Sequence, residues 1–146
     1  MNTPLLIVIA VLVLFSAFFS SAETAFSSLN KVRLKSSETD ENKKKIEKTL
    51  VLAENYDMVL STILIGNNIV NIAASSIATL FFTGVLGDNS DLAATVSTIV
   101  MTVVVLIFGE ITPKTMAKER AEKFAVFVTP AIRFFVFVFY LFSHEK

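Results

Sequence analysis

The sequence predicts an all-α integral membrane domain with three transmembrane helices and a juxtamembrane helix that lies like a belt at the membrane boundary. Two observations lead to this prediction. Of the 146 residues, 53% are hydrophobic, and most of these residues fall in four long blocks. The charged residues fill the intervals between the blocks. Blocks of roughly 20 apolar residues match the thickness of the bilayer hydrocarbon, so the lipid bilayer is the predicted surrounding.

Composition also excludes several classes of function. The formal net charge is zero, which gives no indication of a nucleic-acid partner, and there is no cysteine. Disulfides, thiolate metal sites and cysteine nucleophiles are therefore excluded. The sequence contains no recognisable nucleotide-binding or bond-cleaving motif, and we expect no enzymatic activity.

The first predicted span covers residues 4–29. The apolar run from Leu5 to Phe19 is interrupted only by Ser16, and small residues extend it further. No positive charge precedes it, whereas a signal peptide begins with a basic segment. We therefore interpret the segment as a retained helix.

The connector, residues 31–56, has a different composition in which lysine and arginine alternate with acidic residues. The acidic residues dilute the positive charge, so a solvated and partly helical segment is expected rather than a nucleic-acid contact. Lysine and arginine close to membrane ends mark the cytoplasmic side. The amino terminus is then predicted to lie outside.

The second and third spans are predicted at residues 57–82 and 92–113. The turn between them, residues 84–91, contains aspartate but neither lysine nor arginine, as an external turn would. Basic residues return after the third span. Three crossings thus agree with the distribution of positive charge.

Residues 115–142 contain a fourth apolar stretch that is rich in phenylalanine and includes Pro130 and Arg133. Crossing the bilayer here would place an arginine near the centre of the span, at a cost of at least ~2.5 kcal/mol. We therefore predict a segment along the cytoplasmic boundary, with the carboxyl terminus in the cytoplasm.

Glu110 is the leading candidate for a functional residue because it ends a long apolar run. Pro113 has no N–H, so it leaves the carbonyl of Gly109 without its helical partner and predicts a kink. A carboxylate beside a freed carbonyl is suitable for a hard cation. The alternative is that Glu110 lies at the interface and pairs with Lys114, four residues later.

The second span carries several amide groups in its middle. Asn67 and Asn71 lie one helical turn apart, and Asn68, Asn71 and Ser75 form a neighbouring stripe. Amide oxygens suit Na⁺, Mg²⁺ or Ca²⁺. The alternative is that these side chains form hydrogen bonds between helices.

The first span has a similar face formed by Ser16, Ser20 and Glu23. A carboxylate is not expected to face lipid, although Glu23 is close enough to the end of the span to reach water. Serines on a helix often only pack or bond to their own backbone. Soft metal ligands are missing, which makes zinc, copper and iron–sulfur chemistry improbable.

Three segments together resemble the signature motifs of the CNNM/CorC magnesium transporters: Ser20-Ser21-Ala22-Glu23-Thr24-Ala25, Gly66-Asn67-Asn68-Ile69-Val70-Asn71 and Phe108-Gly109-Glu110-Ile111-Thr112-Pro113-Lys114. The resemblance covers the whole chain. It implies three spans with a juxtamembrane belt, a homodimer with one Mg²⁺ site in each protomer, and export of Mg²⁺ coupled to Na⁺ entry. Cytoplasmic CBS domains normally follow this membrane domain in the family.

The resemblance also implies which residues line the ion site: Ser20, Asn67, Asn71, Gly109 through its carbonyl, and Glu110. A second rank contains Ser16, Glu23, Asn68 and Ser75. The expected function is Mg²⁺ transport across the plasma membrane by alternating access around a dehydrated ion. The alternatives are a Mg²⁺-sensing membrane anchor, or a dimerisation scaffold in which the polar residues only join helices.

Overall fold

The computed structural model describes residues 3–87 and 90–144, and within these ranges every regular element is a helix. The elements are α1 (Thr3–Ser28), α2 (Lys31–Ser36), α3 (Lys43–Glu54), α4 (Tyr56–Leu86), α5 (Ser90–Val104), a π-helical turn (Val105–Ile111), α6 (Thr112–Glu119) and α7 (Ala121–His144). The all-α prediction is therefore confirmed. Helix α4 continues to Leu86 and α5 begins at Ser90, so the turn predicted at residues 84–91 is shorter than expected, and its residues 88–89 lie outside the described residues.

Four segments are long and apolar enough to cross a membrane: Thr3–Ser28, Tyr56–Leu86, Asp91–Glu119 and Ala121–Leu141. The chain is thus a multi-pass membrane protein. Length and composition admit the fourth segment as readily as the other three, so its belt-like position remains a prediction. The third segment continues through Pro113 as far as Glu119, beyond the end predicted at residue 113.

Helix α1 lies at the centre of the fold, where it packs against α4, the π-helical turn, α6 and α7. Helix α1 contributes four buried side chains to the main core, those of Phe19, Ala22, Ala25 and Phe26. Alanine side chains let neighbouring backbones approach closely, which is typical of helix packing in membranes. This close packing brings the polar residues of α1 next to those of α4.

Gly66 sets the separation between α1 and α4. A Cβ atom at this position would lie 2.6 Å from Cζ of Phe19, whose ring is 2% exposed. The same ring packs edge-on against Phe18 and tilted against Phe135, with centroids 5.3 Å and 5.2 Å away. Only glycine fits this contact without displacing the ring.

The connector is attached to α7 by a buried hydrogen bond. The hydroxyl oxygens of Thr49 in α3 and Thr129 in α7 are 2.8 Å apart, and the two residues are 0% and 2% exposed. Ile46 and Leu52 are buried on the same helix. One face of the connector is thus solvated, as predicted, and the other packs against α7.

Replacing Thr129 by Val is expected to lower the free energy of unfolding by about 1 kcal/mol, because valine keeps the shape but removes the hydroxyl. Unfolding followed by circular dichroism in detergent measures the change. Thr83→Val is the control, since among the described residues the Thr83 hydroxyl bonds only to the Thr79 carbonyl of its own helix. The double replacement Thr49→Val/Thr129→Val should restore much of the loss. A double variant weaker than the single one would contradict this account.

Candidate metal centre

Three of the predicted site residues meet where α1, α4 and the π-helical turn come together. The Ser16 hydroxyl donates a hydrogen bond of 3.2 Å to Oδ1 of Asn67. On the other side, a Cβ atom added to Gly109 would lie 2.9 Å from Oγ of Ser16. The structure therefore brings Ser16, Asn67 and the Gly109 backbone together at one level of the bundle.

Two further predicted residues carry buried oxygen atoms without a hydrogen-bond partner among the described residues. These atoms are Oγ of Ser20 and Oδ1 of Asn71. Leaving such a group unsatisfied costs about 1–3 kcal/mol, so native proteins rarely tolerate it without a reason. Hydroxyl and amide oxygens of this kind are ligands that a hard cation takes.

Ser20 and Asn71 extend from the Ser16–Asn67 contact in opposite directions. Helices α1 and α4 are antiparallel, because the early part of α1 packs with Ala74 and Ala78 and its late part packs with Val59 and Ile63. One turn forward along α1 and one turn forward along α4 therefore lead to opposite ends of the bundle. Sequence spacing alone did not predict this division.

The π-helical turn frees two backbone oxygens, only one of which the sequence predicted. The Thr112 N–H donates to the carbonyl of Ile107, five residues earlier, instead of to Phe108. Pro113 has no N–H to give to Gly109. The carbonyls of Phe108 and Gly109 thus both lack their α-helical donors, and π-helical turns are frequent at functional sites.

A cavity of about 310 Å³ lies between α4 and the α5–π segment, and we call it the polar cavity. Its lining residues are Asn71, Ser75, Thr79, Ser97, Thr98, Met101, Thr102, Val105, Leu106 and Glu110. Glu110 is the one acidic residue among them, and none of them is basic. The formal charge of the lining is therefore −1, which favours a cation.

The threonines of the polar cavity present acceptor oxygens. Thr98 donates its hydroxyl hydrogen to the Ala94 carbonyl at 2.9 Å, and Thr102 donates to the Thr98 carbonyl at 2.6 Å. Since a hydroxyl has one hydrogen, the remaining lone pairs can face a cation or water. Sequence reasoning missed these residues, although Thr98, Thr102 and Glu110 lie on one face at multiples of four residues.

Two of the predicted residues of second rank lie away from this arrangement. Asn68 is exposed on α4 and Glu23 is half-buried on α1, and neither lines the polar cavity. Within residues 3–87 and 90–144, no three acidic or histidine side chains are grouped closely enough to hold a metal. Any ion held here would depend on one carboxylate and on neutral oxygens.

The ion pair between Glu110 and Lys114, which the interface alternative predicts, is not formed in the structure. In the described part of the chain the ion pairs are Arg33–Glu122 and Lys35–Glu38, and Glu110 forms none with Lys114. Glu110 is half-buried and lines the polar cavity with Asn71. Its carboxylate is thus available for a cation.

Comparison with known proteins identifies the family. Residues 7–144 match the model of the cyclin M (CNNM) transmembrane N-terminal domain. A UPF0053 protein of Haemophilus influenzae is 41% identical over 140 residues, which are 94% of this chain and 32% of that protein. The UPF0053 inner membrane protein YfjD of Escherichia coli is 40% identical over 112 residues, which are 75% of this chain and 25% of that protein.

The similarity extends to plants. A chloroplastic DUF21 domain-containing protein of Arabidopsis thaliana is 34% identical over 134 residues, which are 92% of this chain and 20% of that protein. The chain spans about a third or less of the length of these relatives. The match to the family model covers almost all of the chain, and the chain therefore belongs to the CNNM family, in which it corresponds to the transmembrane N-terminal domain.

Proposed function

We propose that this domain transports Mg²⁺ across the membrane and that Na⁺ entry drives the export. The observation that carries the proposal is the pair of buried oxygens on Ser20 and Asn71, which have no hydrogen-bond partner in the described part of the chain and are close in sequence to the contact where three helices meet. Glu110 supplies the negative charge, and Gly109 supplies a carbonyl that has lost its α-helical donor. Together these groups supply hard oxygen ligands from three helices, on both sides of the Ser16–Asn67 contact.

The donor set suits Mg²⁺ better than softer metals. Mg²⁺ takes oxygen ligands in octahedral geometry at ~2.0–2.1 Å, and it gives up its water reluctantly. A single carboxylate leaves part of the charge of a divalent ion uncompensated. That is appropriate for a transported ion, which must be bound firmly enough to enter and weakly enough to leave.

The antiparallel arrangement of α1 and α4 suggests how access alternates. Ser20 and the carbonyl of Gly109 lie on one side of the Ser16–Asn67 contact, because helix carbonyls point toward the carboxyl end of their helix. The polar cavity runs from Asn71 and Glu110 toward the other side, as far as Thr79 and Ser97. In the proposed cycle the Ser16–Asn67 contact separates these two sides and opens when the ion passes.

The proposed assembly is a homodimer in the plasma membrane with an ion site in each protomer. Its amino termini lie outside and its carboxyl termini lie in the cytoplasm, where CBS domains follow in the full-length protein. The basic residues before the second span and after the third support this orientation. The much greater length of the relatives leaves room for such additional domains.

A flux assay tests the transport proposal. The chain is reconstituted into liposomes that contain a Mg²⁺-sensitive dye, and Mg²⁺ is added outside with and without an opposing Na⁺ gradient. We expect flux that depends on the protein and increases with the Na⁺ gradient. Binding of Mg²⁺ without flux under any gradient would favour the sensing anchor, and neither binding nor flux would favour the scaffold.

Pro113→Ala tests the role of the freed carbonyl. Alanine supplies an N–H that can bond to Gly109, so we expect Mg²⁺ affinity to fall roughly tenfold without loss of helical structure. Isothermal titration calorimetry measures the affinity. Pro130→Ala is the control, because it removes the proline inside α7 and leaves the π-helical turn unchanged. Equal Mg²⁺ affinities of the Pro113→Ala and Pro130→Ala variants would show that the Gly109 carbonyl is not a ligand of the ion.

A further inference from the structure

A second cavity lies where the connector meets the beginning of α7, far in sequence from the polar cavity. Its volume is about 670 Å³, and we call it the basic groove. Leu34 of α2 and Ile46 of α3, both buried, line one side, and Val126 and Phe127 of α7 line the other. Phe127 is 79% exposed, so the groove opens onto the apolar surface of α7.

Three of the four charged residues that line the groove are basic, and Ser37 and Asn42 are its neutral polar residues. Arg33, Lys45 and Lys123 all line it, together with one carboxylate, Glu122. Glu122 is already engaged, because its Oε1 lies 3.6 Å from Nη1 of Arg33 and its Oε2 accepts a hydrogen bond of 3.4 Å from the Asn30 N–H. Three positive charges and one negative charge leave a formal net charge of +2. The groove therefore favours an anion.

One residue that lines the groove has a backbone carbonyl without its helical donor. Pro130 lies inside α7 and has no N–H, so the carbonyl of Val126, four residues earlier, lacks its helical donor. Both Val126 and Pro130 line the groove. A ligand that carries a hydroxyl group beside its negative charge could satisfy this carbonyl.

We propose that the basic groove binds an anionic phospholipid of the surrounding leaflet, of the phosphatidylglycerol class. The phosphate lies among the basic side chains, a headgroup hydroxyl donates to the Val126 carbonyl, and an acyl chain follows the apolar surface at Phe127. A free phosphate would leave the apolar sides uncovered, and a neutral lipid would leave the charge uncompensated. A ligand of the groove must therefore carry both a negative charge and a hydrocarbon chain.

Native mass spectrometry of the purified chain tests this proposal. The protein in detergent is offered an equal mixture of phosphatidylglycerol and phosphatidylcholine, and the lipids that remain bound are identified. We expect the chain to retain phosphatidylglycerol in preference to phosphatidylcholine. The double variant Lys45→Gln/Lys123→Gln should lose roughly tenfold in phosphatidylglycerol affinity.

Matched control variants distinguish lipid binding in the groove from attraction to the general surface charge. Lys44→Gln/Lys118→Gln removes the same charge from two exposed lysines outside the groove, and it should retain the lipid. Phe127→Ser should weaken retention, whereas Phe134→Ser, also exposed on α7 but outside the groove, should not.

Three results would overturn the proposal. The first is equal retention of both lipids by the unaltered chain. The second is an equal loss of phosphatidylglycerol from both lysine variants, which would indicate diffuse attraction to the surface. The third is displacement of the lipid by millimolar inorganic phosphate, which would indicate a free-anion site instead.

Discussion

Replacing Glu110 by Gln is expected to lower the Mg²⁺ affinity of the domain at least about 100-fold and to abolish Mg²⁺ flux. Glutamine keeps the size of the side chain and removes its charge. Among the residues that the structure describes, no other acidic side chain lines the polar cavity to replace the lost attraction. The expected loss of affinity is large because charges interact more strongly in a partly buried site than in water. Mutation of a group that only contacts a metal ligand already changes metal affinity 10–100-fold.

Calorimetry measures the affinity of the Glu110→Gln variant, and the liposome assay measures its flux. Glu119→Gln is the matched control, because it makes the same change on an exposed residue at the end of α6, outside the cavity. The control should bind and transport as the unaltered chain does. Unchanged Mg²⁺ affinity in a folded Glu110→Gln variant would remove this residue from the site and would require a different function.

Replacing Gly66 by Ala is expected to destabilise the domain by about 1–3 kcal/mol, a typical cost of overpacking. The added methyl group would lie 2.6 Å from the Phe19 ring, which is buried between neighbouring aromatic side chains. Relief requires either displacement of the Phe19 ring or movement of α1 and α4 apart. Because the adjacent residue Asn67 accepts the hydrogen bond from Ser16, the same movement should weaken ion binding.

A suppressor variant makes the Gly66 prediction specific. Phe19→Leu removes the far end of the ring, so the pair Gly66→Ala/Phe19→Leu should lose less stability than the sum of the two single changes. Unfolding in detergent provides the three free-energy differences. Strict additivity, or a Gly66→Ala variant as stable as the unaltered chain, would show that the glycine is not required for close packing.

Much of the fold could be predicted because long apolar blocks and the distribution of lysine constrain a membrane protein strongly. The all-α class and the CNNM family are confirmed. Hydropathy did not decide the position of α7, since its composition permits a span and its Arg133 favours the boundary. The packing of α3 was harder to see, because Ile46, Thr49 and Leu52 repeat at helical spacing among many charged residues.

The candidate site was predictable in its residue types but less so in its geometry. Ser16, Asn67 and Gly109 come into contact, and Asn71 lines a cavity with Glu110. Residue spacing predicts which side chains share a helix face, but not which neighbouring helix that face contacts. Spacing therefore did not show that Asn68 and Glu23 lie outside the polar cavity. Thr98 and Thr102 were missed because threonine is common in apolar helices, where it bonds to its own backbone.

The π-helical turn before Pro113 affects the direction of the Glu110 carboxylate, because the Thr112 N–H can bond to the carbonyl of either Ile107 or Phe108. Glu110 lies inside the π-helical segment Val105–Ile111, in which backbone hydrogen bonds join residues five apart instead of four. If the Thr112 N–H bonded to Phe108 instead of Ile107, the chain before this point would rotate by about 100° relative to the chain after it. Glu110 would then point in a different direction relative to α4, and α5 and α6 would turn about their axes relative to each other.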